Sequence, residues 1–350
     1  MRLQKINIES DINLWNQIIT NSPDMYTISH NPSLINFLKQ HMDWNGDQFF
    51  IMYKEEIIGV YQHSIVNSDC SVSMPHFSYG GIIRKNNTFK KIQIYNKIKN
   101  FLPKHHEIRD FEPYTNYTDT DKIATYLELK TSSEEQLATF KYNHRRKIKK
   151  AYKNGLEVFI SSDTEDMQSF YKVYCKNMLR LGSPVLSEMF FLNLLKTYKY
   201  GDVQVFLVNY NNKVIGGAVV LDYNQFVEDC WLSTLSEYNN LYTSVLLYWE
   251  MIKESIKKEK KYFSFGRSSQ NSSLLNFKRQ WKPIERKLYF SYSNKKNPGL
   301  KQMKFLTKIW KLLPLKIANF IITDINKDGT LEGTNEDFIK DILEITDIPV

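Results

Sequence analysis

One order of predicted elements occurs twice along this 350-residue chain. In each half, helical patterns precede an apolar hairpin, a further strand, a long amphipathic helix and another strand. A chain of this length exceeds a typical single core, whereas each half suits one. The repeat therefore predicts an α+β protein with two similar domains, residues 1–125 and 126–297, each with a mixed, mostly antiparallel sheet flanked by helices.

Turn residues and hydrophobic periods locate several of these elements. Residues 54–56 form a polar tip between two apolar runs, and Asn211-Asn212 separates two further strands, so both sites predict hairpins. Residues 133–154 and 241–260 each show a helical period and predict two long helices in the second half.

Charge is unevenly distributed along the chain. The net charge is +9, and residues 323–350 carry −6, so residues 1–322 carry +15. Such an excess suggests an anionic partner, namely nucleic acid, a nucleotide-linked precursor or a membrane surface, and charge alone does not choose among them. The three cysteines are widely spaced and predict small buried residues, not a disulfide frame or a zinc site.

A cationic helix is predicted early in the second half. Residues 141–153 hold seven Lys or Arg residues and no acid. Phe140, His144, Ile148 and Ala151 fall on one side of a helix, so the cations cover the rest. Phosphate contact, from tRNA or a lipid diphosphate, explains this pattern, and a solvated face is the alternative. The candidate phosphate-binding residues are Arg145, Arg146, Lys147, Lys149 and Lys150.

Residues 262–281 combine a strand, a serine-rich loop and the start of a helix. The strand at 262–265, with another at 287–292, is predicted to close the second sheet. Arg267 and Lys278 flank the loop, which makes a plausible cradle for an anion or a developing oxyanion. An ordinary strand-loop-helix connection with solvated charges is the alternative.

Several motifs of the second half resemble those of one family. HRRKIKKAYKNGLEV, LLYWEMIKE, FSFGRSS and NFKRQW are similar to motifs of FemAB-like proteins, and most similar to the branch associated with exosortase and exopolysaccharide clusters. The resemblance implies two tandem GNAT-like (N-acyltransferase-type) domains. Characterised members of that family transfer an amino acid from aminoacyl-tRNA to an amine on a peptidoglycan precursor, so the resemblance also implies acyl transfer to an amine on a cell-envelope precursor, without naming that precursor. The lysine after Phe277, Lys278, then lies at the reacting centre.

Other candidate site residues follow from the same comparison. In EIRDFEP, Arg109 and Glu112 match a basic residue and an acid, so Glu112 is a candidate base for the amine and Arg109 a substrate ligand. Arg267 could hold a phosphate or carboxylate through two N–H donors, with Ser268 and Phe277 nearby. Tyr79 lies beside Gly80-Gly81 and is a candidate for the acceptor pocket. Structural roles are the alternative for each residue: a salt bridge, a turn acid or a buried tyrosine.

The donor is predicted as a co-substrate and not as a tightly bound cofactor. Coenzyme A in this fold is normally held by a glycine-containing loop before the long helix, and residues 233–247 contain no glycine. That favours aminoacyl-tRNA over acyl-CoA. The alternatives are an acyl-CoA-dependent N-acyltransferase that acts on an amino sugar in surface polysaccharide synthesis, and a non-catalytic envelope-assembly or RNA-binding protein. No metal motif is expected at the site.

Two C-terminal segments complete the prediction. Residues 298–322 combine lysines with large apolar residues, as in a helix that lies on an anionic membrane, and packing onto the protein itself is the alternative. The acidic tail, 323–350, contains a calcium-type loop from Asp324 whose twelfth position is Asn335 instead of glutamate. The chain has no signal core and is expected to be cytoplasmic, at the inner face of the membrane. Its expected partner is a lipid- or nucleotide-linked envelope precursor.

Overall fold

The computed structural model describes residues 1–67 and 69–294. The basic segment 298–322 and the acidic tail 323–350, with its calcium-type loop, lie outside these residues. Residues 178–187 belong to a second compact unit, whose described part includes a turn with a 2.9 Å hydrogen bond from Ser183 N to Met178 O. The rest of the described chain forms one unit and contains both sheets.

The strands and helices of the described residues are numbered in chain order. The strands are β1 (Arg2–Lys5), β2 (Asn45–Tyr53), β3 (Glu56–Asn67), β4 (Cys70–Val72), β5 (Ile83–Arg84), β6 (His105–Asp110), β7 (Thr118–Asp119), β8 (Lys122–Glu128), β9 (Glu157–Ser161), β10 (Val203–Tyr210), β11 (Lys213–Tyr223), β12 (Phe226–Thr234), β13 (Tyr262–Ser269), β14 (Ile284–Lys287) and β15 (Tyr289–Tyr292). The helices are α1 (Ile8–Thr20), α2 (Ser33–Met42), α3 (Lys91–Ile98), α4 (Ser133–Thr139), α5 (Tyr142–Lys153), α6 (Thr164–Arg180), α7 (Glu188–Thr197), α8 (Thr243–Lys257) and α9 (Ser273–Lys278).

Two mixed sheets with flanking helices confirm the predicted α+β class. The first sheet runs in the order β1-β2-β3-β4-β6-β15-β7, with β5 on β3, and the second in the order β14-β8-β13-β12-β11-β10-β9. Each sheet contains one parallel pair, β4 with β6 and β12 with β13, and the other neighbours are antiparallel. The two halves therefore share one strand pattern.

Both predicted hairpins are confirmed. β2 pairs with β3 through Tyr53 and Glu56, and β10 pairs with β11 through Tyr210 and Lys213. Asn211 and Asn212 have φ of 50° and 59°, because a two-residue turn that matches the twist of the strands needs left-handed backbone at both positions.

The single helix predicted for residues 133–154 is wrong. Phe140 is extended, with ψ of 152°, and separates α4 from α5. Its side chain is buried and packs edge-on against Trp281, with ring centroids 5.3 Å apart. Tertiary packing of this ring therefore outweighs the local helical pattern.

The placement of residues 287–292 in the second sheet is also wrong. β14 does pair with β8, but Leu288 crosses over and β15 pairs with β6 and β7 of the first sheet. Leu288 and Phe290 are buried there with Tyr79 and Phe111. The pairing of β15 with β6 covers an edge of β6 that would otherwise be unpaired. Because β14 pairs in the second sheet, this crossover joins the two sheets.

The second sheet is packed against α8. Val245, Leu246, Trp249 and Ile252 of this helix are buried in one cluster with side chains of β10 to β13. Each fully buried apolar side chain contributes roughly 1.5–3 kcal/mol, so this cluster gives the strands that carry the site a rigid support.

Candidate active site

A cavity of about 330 Å³ lies where the parallel strands β12 and β13 separate. They are paired only from Phe226 to Glu228, opposite residues 262–264. Just beyond, β12 has a register shift against β11 around Cys230, and β13 has one against β8 around Gly266, whose φ is 69°. Such irregularities bend strands and re-aim side chains. Here they open the space between the strands.

Glu228 lies at the base of the opening and is 3% exposed. One carboxylate oxygen accepts a 2.9 Å hydrogen bond from Ser78 Oγ, and the other accepts a 3.0 Å bond from Ser264 Oγ. Burial raises the pKa of Glu228, while these two hydrogen bonds and the nearby Arg267 and Lys278 lower it. Both serines donate and so favour the ionised carboxylate, although burial dominates and the pKa of Glu228 lies above its ordinary value.

Asp229 is the neighbouring acid, and it is less well paired. Its side chain is 8% exposed and lines the cavity, and Oδ1 has no hydrogen-bond partner within the described residues. Burial raises the pKa of Asp229 to about 7, against a hydrogen bond from Tyr248 and the charge of Lys278. A buried oxygen without a donor costs free energy, and this atom retains the capacity to accept one more hydrogen bond.

Lys278 ends α9 and reaches the same cavity. Ser272 caps this helix by accepting a 3.1 Å bond from Leu275 N. Lys278 is 3% exposed, and Nζ donates to Arg267 O at 3.4 Å. Burial lowers the pKa of Lys278 to about 8, although Asp229 and Glu228 favour its charged form. The ammonium group is therefore desolvated, close to two acids and weakly bonded.

Arg267 is held by the first half of the chain. Nη1 donates to Phe77 O and, at 3.1 Å, to Ser78 O. Burial and the Arg109 guanidinium lower the pKa of Arg267 to about 10. Its guanidinium also lies 5.7 Å from the ring centroid of Phe290.

The remaining wall of the cavity is largely aromatic. His76 and Trp231 lie with ring centroids 5.8 Å apart, and Phe77 and Tyr248 line other sides. His76 has a φ of 78°, which is rare for a residue with a side chain. Such strain is tolerated where the surrounding structure fixes the backbone, and here it directs the imidazole toward the cavity.

Two of the residues predicted for substrate or catalysis line this cavity, Arg267 and Lys278. Phe277 is outside the cavity lining, with its ring centroid 5.8 Å from that of Tyr248. Ser268 is buried on β13 outside the cavity lining, and its Oγ has no partner within the described chain.

The three predicted residues from the first half occupy other positions. Arg109 is fully buried and donates to Glu107 at 2.5 Å and to Phe77 O at 3.2 Å, so it lies behind the cavity wall. Tyr79 is buried against Phe111, with ring centroids 4.3 Å apart. Glu112 is exposed and does not line the cavity; buried carboxylates on β12 lie beside Lys278 instead.

The predicted cationic helix is α5, and it lies away from the cavity lining. His144, Ile148 and Ala151 are buried, as the helical pattern indicated. Lys147 donates to Gln280 at 2.8 Å, and Lys150 lies 5.5 Å from the ring centroid of Tyr242. The outer side faces a groove of about 490 Å³ between α4 and α5, lined by Tyr142, Arg145, Arg146 and Lys149 among others.

The sequence interpretation missed the two buried acids. Glu228 and Asp229 are consecutive acids within FVEDCWL, an otherwise apolar strand. Two adjacent carboxylates in such a run are a recognisable signal, because buried acids are retained only where they are paired or functional. Ser78 and His76 carried no comparable signal.

Two further properties concern only the part of the chain that the structure describes. No group of three or more His, Cys, Asp or Glu side chains there could hold a metal ion. None of the helices in residues 1–67 and 69–294 has the length and apolar character needed to cross a membrane.

Known proteins share this fold. Residues 138–279 match the family model described as acetyltransferase (GNAT) domain. The crystal structure of FemX aligns with a TM-score of 0.60 at 12% identity, over 82% of this chain and 96% of that one. The C-terminal domain of a putative lysylphosphatidylglycerol synthetase from Agrobacterium fabrum gives 0.54 at 10% identity, over 87% and 97%. A tandem GNAT protein from the clavulanic acid biosynthesis pathway gives 0.51 at 7% identity, over 84% and 100%.

One short stretch is similar to a different kind of protein. Thirty-five residues, 10% of this chain, are 86% identical to a phosphoribosyl imidazole-4-carboxamide isomerase of Prochlorococcus marinus. The chain spans about 14% of the length of that enzyme. The isomerase activity is therefore a property of that enzyme and is not transferred to this chain.

Proposed function

We propose that this chain, an acyltransferase with two GNAT-type halves, transfers an aminoacyl group from aminoacyl-tRNA to an amine on a lipid- or nucleotide-linked cell-envelope precursor. The observation that supports this most is the placement of Asp229 and Lys278 at one buried cavity. One is an acid with an unpaired oxygen, and the other is a desolvated cation. Amide formation from an ester needs a base that takes the amine proton and a cation that stabilises the oxyanion.

Each group has one part in the transfer. Asp229 takes a proton from the acceptor amine, whose lone pair attacks the ester carbonyl carbon and forms the C–N bond. The carbonyl oxygen becomes an oxyanion, which the Lys278 ammonium stabilises in a site of low dielectric constant. The carbon–oxygen bond to the ribose then breaks, and the ribose oxygen leaves with the proton held by Asp229. Glu228 keeps Lys278 charged, since its carboxylate raises the pKa of that lysine.

The donor is inferred from the segment before α8. Residues Ser236–Leu241 form a 3-10 helix there, in which Tyr238 N donates to Leu235 O at 3.0 Å and Tyr242 N to Asn239 O at 3.1 Å. Those amides are bonded within the chain, whereas a pyrophosphate cradle presents free amides. An aminoacyl ester does not need a pyrophosphate cradle, so it fits this segment better than coenzyme A does.

The groove beside α5 offers a place for the RNA. Arg146 and Lys149 are exposed, and Arg145 is half-buried at the same groove. Phosphate contacts by such cations supply most of the affinity of sequence-independent RNA binding. The structural similarity to a lysylphosphatidylglycerol synthetase domain, whose name denotes an aminoacylated lipid, supports an aminoacyl donor and an envelope acceptor.

Side-by-side binding tests this proposal. Purified protein is titrated with aminoacyl-tRNA, with the same tRNA uncharged and with acetyl-CoA, at a salt concentration of about 0.15 M, where exposed charges are screened beyond roughly 8 Å. We expect tighter binding of charged than of uncharged tRNA. Affinity should fall at least tenfold in a variant with glutamine at four cations of α5: Arg145, Arg146, Lys149 and Lys150.

A matched variant controls for net charge. It carries glutamine at four exposed lysines elsewhere and should bind like the unmodified protein: Lys54, Lys85, Lys97 and Lys172. Saturable acetyl-CoA binding, with equal and salt-sensitive binding of both tRNA forms, would replace the proposal with acyl-CoA-dependent acylation of an amino sugar.

A further inference from the structure

Residues 73–81 of the first half run along the edge of β6 and reach the second-sheet cavity. Ser73 N donates to Glu107 O at 2.9 Å, and Gly80 N donates to Arg109 O at 3.1 Å. Between these anchors the chain passes through Met74 and His76, with φ of 52° and 78°. We refer to residues 73–81 as the bridging segment. Its path is fixed at both ends by the first sheet.

The bridging segment contacts two charged groups of the second half. Ser78 Oγ donates to Glu228 Oε1 at 2.9 Å, and the Phe77 and Ser78 carbonyls accept from Arg267. The Phe77 carbonyl also accepts from Arg109, at 3.2 Å. Two guanidinium groups, one from each half, therefore converge on one carbonyl oxygen, and both lie over the ring of Phe290.

The contact with Glu228 is buried on every side. Ser78 is 7% exposed and Glu228 is 3% exposed. The other donor to Glu228, Ser264, comes from β13, so each half supplies one hydrogen bond to this carboxylate. In a site of low dielectric constant, each such bond holds the orientation and the charge of the acid.

We propose that the bridging segment is a positioning element of the first half for the site on the second sheet, and that Ser78 is the positioning residue for Glu228. The inference rests on the proposed function only in assigning Glu228 to the transfer chemistry. The first half then contributes to the reaction without supplying the acid or the lysine. Removing the Ser78 hydroxyl should alter both the ionisation of Glu228 and turnover, while substrate affinity changes little.

The titration of Glu228 can be measured without the aminoacyl donor or the amine acceptor of the transfer reaction. The ionisable groups that influence this carboxylate, or are influenced by it, are Asp229, Lys278, Arg267, Tyr79 and Cys230. Carboxyl ¹³C NMR of glutamate-labelled full-length protein, assigned with Glu228→Gln, would follow its midpoint. Because the Ser78 hydrogen bond lowers the pKa of Glu228, Ser78→Ala should raise that midpoint by roughly one pH unit.

Three other variants make the test specific. Ser264→Ala should raise the midpoint in the same direction, and Ser78→Thr, which keeps the hydroxyl, should restore it. Ser71→Ala is the matched control, because Ser71 is fully buried in the first sheet and its Oγ has no partner within the described residues. In the transfer assay, kcat of Ser78→Ala should fall roughly tenfold with KM nearly unchanged.

The outcomes separate this inference from the proposed function. A Ser78→Ala midpoint equal to that of the unmodified protein, with a shifted Ser264→Ala midpoint, would overturn the role of Ser78. Failure to transfer an amino acid, with the Ser78→Ala shift present, would refute the donor assignment and leave the positioning role standing.

Discussion

In the first sheet, β4 and β6 are paired for three residues, ending at Val72, and the bridging segment then lies along β6. In the second sheet, β12 and β13 are also paired for three residues, ending at Glu228, and the space beyond them is the cavity. One strand pattern therefore has two uses. The first opening is occupied by its own chain, and the second is the cavity at which we propose the transfer.

The charged side chains near the first opening are paired with one another, and those at the second opening are incompletely paired. Near the first, Lys91 is buried with Asp110 at 2.8 Å and Asp24 at 3.9 Å, and Arg109 is paired with Glu107. At the second, Lys278 has a carbonyl contact at 3.4 Å, and Asp229 keeps an unpaired oxygen. A buried charge pair is costly to break, whereas an incompletely paired group can take part in chemistry.

The largest expected effect comes from replacing the buried lysine near each opening, Lys278 or Lys91, with methionine. Lys278→Met should lower kcat by at least about 10²–10³-fold, because it removes the cation that stabilises the oxyanion. Its stability should not fall, since burial lowers the pKa of Lys278 to about 8 and the charged form therefore disfavours folding below that pH. Steady-state kinetics and urea unfolding measure the two effects.

The matched variant at the first opening should behave in the opposite way. Lys91→Met leaves Asp110 buried without its cation and should cost roughly 3–5 kcal/mol of unfolding free energy. If Lys278→Met unfolds as readily as Lys91→Met, the distinction between a structural and a catalytic lysine fails.

A smaller effect is expected from the two glycines at the openings. In Gly81→Ala the new Cβ would lie 1.9 Å from Asp110 Oδ2, and Asp110 is held by Lys91 and Tyr114. We expect a loss of roughly 2–4 kcal/mol by urea unfolding, as for other overpacked or strained sites. Gly266→Ala meets nothing closer than 3.7 Å and should cost only about 1–2 kcal/mol, from its φ of 69°. Equal losses would mean that the first opening is no more tightly filled than the second.

In the unmodified protein, the smallest expected effect is the dependence of kcat/KM on pH. Asp229 must be ionised to accept a proton, and burial raises its pKa to about 7, so kcat/KM should fall below that pH. Lys278 must be protonated, and burial lowers its pKa to about 8, so kcat/KM should also fall above that pH. The profile is then a narrow bell whose limbs belong to the interacting pair. Asp229→Asn should lose the acidic limb along with most activity. An unchanged acidic limb in that variant would mean that a residue other than Asp229 is the general base.

Much of the fold was predictable from the sequence because its signals are local. Hairpin tips such as Asn211-Asn212, the period of α8 and the buried side of α5 are set by neighbours within a few residues. That Arg267 and Lys278 lie close together was also predictable, since they flank one short loop. The break at Phe140 was not, because the ring that holds it, Trp281, lies far along the chain.

The sequence by itself determined two α+β halves, a cationic helix and a pair of cations around one loop. Only the tertiary structure decided that Leu288 crosses between the sheets, that one opening is filled by the bridging segment while the other forms a cavity, and that Ser78 meets Glu228. These outcomes depend on hydrogen bonds and burial between residues as many as 185 positions apart, from Glu107 to Tyr292. Periodicity and turn chemistry describe only neighbours, so such pairings become visible only when the chain is folded.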